Sequence, residues 1–93
     1  MTLPARSARP RLAPGCRLSE SAGQPSTLLM PEGALKLNDP GLKIVQLCNG
    51  MRSVTDIFRE LAFEFKTSDR HQIEEETLRF LELLHEKRAV DFE

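Results

Sequence analysis

Residues 28–57 read LLMPEGALKLNDPGLKIVQLCNGMRSVTDI, and their turn and cap chemistry constrains the fold more than any other part of the chain. Pro31 sets φ early in a tight turn and Gly33 tolerates a positive φ late in it. The PEG triplet therefore joins two short apolar strands, expected at residues 27–30 and 34–37, into an antiparallel hairpin. Asn38 or Asp39 then caps a helix expected at 40–48. Pro40 falls in its first turn, where a missing N–H removes no bond. Leu42, Ile44, Val45, Leu47 and Cys48 point in several directions from this helix, which suits a central and largely buried element. Asn49-Gly50 ends it, because Gly50 can take the left-handed conformation that closes helices.

Ser53 restarts the chain as a second helix at 54–65, with Asp56 in the first turn where the helix dipole favours an acid. Val54, Ile57, Phe58, Leu61, Ala62 and Phe65 recur at i, i+3, i+4, i+7 spacing, so one face is apolar. Phe63 lies on the opposite face and is a candidate partner contact. Residues 66–70 read as a polar connection. A third helix is expected at 72–87, with acids near its start. Residues 16–20 suit a first strand, SAGQPS at 21–26 suits a turn, and residues 89–92 suit a short final strand or an extended tail.

The fold class is α+β, winged helix-turn-helix-like, with an N-terminal three-stranded antiparallel sheet followed by a three-helix bundle. Residues 1–14 hold three prolines and three arginines and are expected to be a flexible arm; residues 15–93 form a single domain. At 93 residues a deep catalytic cleft is hard to build, whereas grooves and sheet edges are not.

No catalytic constellation is present. His71 and His85 sit on or near one acidic helix with no Ser, Cys or Asp placed beside them by a motif. Cys16 and Cys48 are far apart and show no metal-ligand spacing, and Cys48 reads as a buried, reduced thiol. No cofactor is expected. No apolar run approaches the roughly 20 residues of a membrane span, and no secretory signal is visible, so the expected compartment is the cytoplasm. Net charge is −1, with Arg6, Arg9, Arg11 and Arg17 at one end and a mostly acidic third helix near the other. That helix opens Glu74-Glu75-Glu76, which opposes nucleic acid; no nucleic-acid or membrane partner is expected.

Two elements suggest a binding site. The third strand, carrying Ala34, Leu35, Lys36 and Leu37, follows a tight hairpin and is expected at a sheet edge. Its unpaired backbone groups can pair with an incoming extended peptide. On the third helix, Ile73, Thr77, Phe80 and Leu84 form a central stripe flanked by Leu78 and Leu81 on one side and Leu83 on the other. This apolar arc spans roughly 220°, wider than core packing alone needs. The expectation is a groove with Ala34, Leu35, Lys36 and Leu37 facing Leu78 and Leu81.

Four segments carry a family resemblance: RPRLAPGCRL at 9–18, LLMPEGALKLN at 28–38, NGMRSV at 49–54 and VTDIFRELAFEF at 54–65. In order and spacing they resemble the PqqD family of pyrroloquinoline quinone (PQQ) biosynthesis. The resemblance implies a non-catalytic peptide chaperone, the recognition element of a ribosomally synthesised, modified peptide. It would bind the precursor peptide PqqA and present it to the radical S-adenosylmethionine enzyme PqqE. Any iron–sulfur cluster or S-adenosylmethionine would then belong to PqqE. It also implies that the peptide adds as a strand beside the third strand and third helix. The alternatives are a DNA-binding winged helix and a small dimerisation module, and a homodimer is compatible with any of these.

Overall fold

The computed structural model describes residues 5–66 and 69–92. The chain order is β1 (Pro10–Leu12), β2 (Arg17–Ser19), β3 (Thr27–Met30), β4 (Gly33–Lys36), α1 (Asp39–Leu47), α2 (Val54–Phe65), α3 (Arg70–Glu86) and β5 (Val90–Phe92). The fold is α+β, with three helices and two antiparallel sheets. One sheet runs β2-β3-β4 and the other pairs β1 with β5. The strand expected third in the sequence is β4.

Each helix starts at a side-chain cap. The Asn38 Oδ1 accepts from the Gly41 N–H at 2.8 Å and opens α1. Ser53 and Asp56 form a reciprocal capping box at α2: the Asp56 N–H donates to Ser53 Oγ at 3.2 Å and the Ser53 N–H to Asp56 Oδ2 at 3.1 Å. The Ser53 N–H, and after it the Ser53 hydroxyl, donate to the Asp56 carboxylate and hold it below its ordinary pKa. Asp69 accepts from the Gln72 N–H at 3.0 Å, so α3 begins at Arg70, two residues before the expected start at 72.

The core runs from Leu28 on β3, through Ile44 and Val45 of α1 and Ile57 and Leu61 of α2, to Leu81 and Leu84 of α3 and Val90 of β5. Each fully buried aliphatic side chain stabilises the fold by about 1.5–3 kcal/mol, an upper range for so small a domain.

The expectation of a flexible arm at 1–14 is corrected at residues 5–14. β1 pairs with β5 in the register Pro10↔Phe92, Arg11↔Asp91 and Leu12↔Val90. The Ala13 N–H donates to the Ala89 carbonyl at 2.9 Å. Ladder bonds on an antiparallel pair recur at alternate residues, so β5 asks for donors at Arg11 and Ala13 and none at Pro10. On its other side the segment binds residues 48–50: Leu12 N–H to the Cys48 carbonyl at 3.2 Å and Gly50 N–H to the Pro10 carbonyl at 2.9 Å. Further upstream, the Arg6 guanidinium meets Glu74 of α3 at 2.6 Å and lies 5.3 Å from the Phe58 ring centroid. Burial of Pro10 and these bonds hold the segment in place. The first four residues of the arm, residues 67–68 of the polar connection, and Glu93 lie outside the described residues.

Candidate functional site

β4 pairs with β3 on one side and, among the described residues, with no strand on the other. Which of its backbone groups face that open side follows from the register. The Leu37 N–H donates to the Ser26 carbonyl at 2.9 Å, and the pairs continue as Thr27↔Lys36, Leu28↔Leu35 and Leu29↔Ala34. Bonded pairs alternate along an antiparallel ladder, so Leu35 and Leu37 use their backbone groups on β3. The N–H and C=O groups of Ala34 and Lys36 point to the open edge.

Side chains alternate across the sheet in the other sense. Leu35 lies opposite buried Leu28 and shares its inner face; Leu35 and Leu37 are half-buried, while Ala34 and Lys36 are exposed.

Beside this edge lies an open groove of about 810 Å³. Leu37, Ile44 and Leu61 line it from the β4–α1–α2 side, and Ile73, Thr77 and Phe80 line it from α3. Lys36, Asn38, Gln72 and Glu76 form much of its polar rim. Gly41 belongs to the floor. A Cβ there would lie 3.0 Å from Asn38 Oδ1, crowding the α1 cap, and 3.4 Å from the Phe80 ring, within ordinary contact distance.

The sequence-derived site is therefore only partly assembled. Ala34 and Lys36 sit on the open edge, and Lys36 and Leu37 reach the groove. Leu35 packs inward from the same strand. Leu81 is 0% exposed, inside the core, and presents no surface. Leu78 faces a different hollow on the far flank of α3, with Arg6, Glu74 and Glu82. The helix residues that do line the groove are Ile73, Thr77 and Phe80 from the central stripe.

Other candidate groups lie elsewhere. Phe63 is 85% exposed on α2 and Met51 79% exposed in the preceding turn. His85 packs edge-to-face on Phe92 with ring centroids 5.2 Å apart. Burial pushes the Cys48 thiol pKa up to about 12, so it stays protonated near neutrality and is a poor nucleophile. Among the described residues no group of three or more His, Cys, Asp or Glu side chains is gathered as a metal site, and no helix is long and apolar enough to cross a membrane.

Comparison with known proteins points to one family. Residues 26–90 match the family model described as coenzyme PQQ synthesis protein D (PqqD). A protein of Xanthomonas axonopodis pv. citri named PqqA binding protein is 38% identical over 86 residues, covering 91% of this chain and 92% of that one. One of the same name from Azotobacter vinelandii is 39% identical over 83 residues, 88% of each chain. The fold also matches the solution structure of the PqqD truncation of Methylobacterium extorquens PqqCD, described as a functional, stand-alone recognition element for ribosomally synthesised and post-translationally modified peptides. That match has a TM-score of 0.77 at 27% identity and covers 97% of this chain and 95% of the other. By family model and by relatives along nearly its whole length, the chain belongs to the PqqD family.

Proposed function

We propose that this protein is a non-catalytic recognition protein of PQQ biosynthesis that binds the precursor peptide PqqA and presents it to PqqE. The observation that carries the reading is the open edge of β4 running beside an apolar groove. A peptide added as a further strand takes its main-chain hydrogen bonds from Ala34 and Lys36 and places alternate side chains into the groove. Leu37 lines the strand side, and Ile73, Thr77 and Phe80 line the helix side. Leu81 acts from beneath by fixing the position of α3, and Leu78 borders the far flank. The names of the relatives above support PqqA as the ligand.

On this reading the chain works as one unit in which the segment from Ala5 onward is docked on the peptide-binding domain. The β3–β4 hairpin takes the place of a wing in a winged helix-turn-helix-like arrangement. The chain acts in the cytoplasm, needs no cofactor of its own, and either as a monomer or as a homodimer.

Calorimetric titration of PqqA into Phe80→Ala and Leu37→Gln tests the site. Truncating a central anchor commonly removes more than about 1 kcal/mol of binding energy, so each variant should bind about tenfold more weakly. Wild-type affinity in both, with helical content intact by circular dichroism, would remove the groove from consideration.

A further inference from the structure

We propose that the peptide captured at the β4 edge carries an acidic side chain that pairs with Lys36, immediately beside the apolar residue that fills the groove. This rests on the peptide-binding reading above and adds a sequence requirement to it.

The outer face of the β2-β3-β4 sheet is formed by Arg17, Ser19, Thr27, Leu29, Ala34 and Lys36, as register and alternation dictate. It carries two cations and no acid. Four basic side chains elsewhere in the fold are matched: Arg6 with Glu74, Lys43 with Glu64, Arg59 with Asp56, and Arg79 with Glu75. Among the described residues, the Lys36 ammonium has no ion-pair or hydrogen-bond partner. It stands on the strand whose edge is open.

A strand added to that edge brings one residue opposite Lys36, with its Cβ about 4.5–5.5 Å away on the outer face. The residues before and after it point inward, into the groove between Leu37 and Phe80. The groove has a mixed charged lining, with Lys36 and Arg79 against Asp69 and Glu76. An acid pointing inward gains no net attraction there and loses water, whereas pointing outward it meets Lys36. One register is favoured over the adjacent one, so charge adds to the alignment that the backbone bonds leave open. Arg17 is two strands further from the edge and contributes little at that distance.

The test titrates PqqA against Lys36→Gln, Lys36→Glu and Arg17→Glu. It then titrates PqqA variants, in which each acidic residue is changed in turn to lysine, against Lys36→Glu. Opposite charges on facing strands imply about 2- to 5-fold weaker binding for Lys36→Gln and about tenfold for Lys36→Glu. Arg17→Glu should change affinity by less than about twofold, and one lysine-substituted peptide should regain affinity for Lys36→Glu. The proposal is overturned if Lys36→Glu binds PqqA normally, if Arg17→Glu is equally damaging, or if no peptide swap restores binding. If Phe80→Ala loses affinity while Lys36→Glu does not, the groove stands and only the charge pairing falls. Wild-type affinity in both would remove the groove itself.

Discussion

Replacing Ala34 by proline deletes one backbone donor from the open edge of β4 and disturbs little else. The Ala34 side chain is exposed, and its N–H is not among the bonds to β3, which fall at Leu35 and Leu37. Proline is tolerated at such outward-facing edge positions, so the folded state should lose less than about 1 kcal/mol. The bound state loses more. One peptide hydrogen bond contributes about 0.5–1.5 kcal/mol net, and the partner carbonyl left unpaired against the edge adds to that. A total of about 1–2 kcal/mol weakens PqqA binding by about 5- to 30-fold. Ala34→Val, which keeps the N–H, should bind within about threefold of wild type. Leu35→Pro removes a bond to β3 and should destabilise the sheet itself. Calorimetry supplies the affinities and denaturant melts the stabilities. An Ala34→Pro protein that folds and binds PqqA as tightly as wild type would refute strand addition at this edge.

Leu81→Ala should cost about 2–5 kcal/mol in urea unfolding, because it empties a fully buried site, and Leu81→Asp should prevent folding. Leu81 therefore reports on stability rather than on peptide contact. Cys48 has its pKa raised by burial from 9.0 to about 12, so the folded state holds a proton that the unfolded chain releases. Stability should be fully present below pH 9 and fall as pH rises from 9 toward 12, and Cys48→Ala should flatten that slope in melts across the range. In thiol-labelling assays half-buried Cys16 should react before Cys48. Ser53→Ala should lower stability by about 1 kcal/mol through loss of the α2 cap. The capping box lowers the Asp56 pKa, so its contribution is present above about pH 3.8 and is lost as pH falls through the lowered value. Ser53→Ala should blunt that acid transition.

Local chemistry made α2 legible to the residue: a serine cap and an i, i+3, i+4, i+7 apolar pattern define Val54–Phe65. The β3–β4 hairpin was equally readable, because Pro31 and Gly33 leave few alternatives. β1 was not. Its partner β5 lies at the other end of the chain, and two prolines near it argue against a strand unless the register is known. At the site, the edge strand was visible because it is short and follows a tight hairpin. The helix half was harder. An arc of roughly 220° on α3 shows that two flanks are apolar, but not which one turns toward β4. Leu78 and Leu81 belong to the wrong flank and the core, while Ile73, Thr77 and Phe80 line the groove. The docked segment from Ala5 to Pro14 covers part of the Leu78 side through Arg6, so the placement of α3 is a long-range property of the chain.

On the proposed function, PqqA adds as a strand to the outer edge of β4. Amide hydrogen exchange followed by NMR on labelled protein tests it most directly, with and without PqqA. In the unbound protein the Ala34 and Lys36 amides should exchange quickly while Leu35 and Leu37 are protected. On binding, Ala34 and Lys36 should become protected, with shift changes concentrated on β4, the start of α1, and Ile73, Thr77 and Phe80 of α3. Fast exchange at Ala34 and Lys36 in the complex, with changes centred instead on Met51 and Phe63, would contradict it.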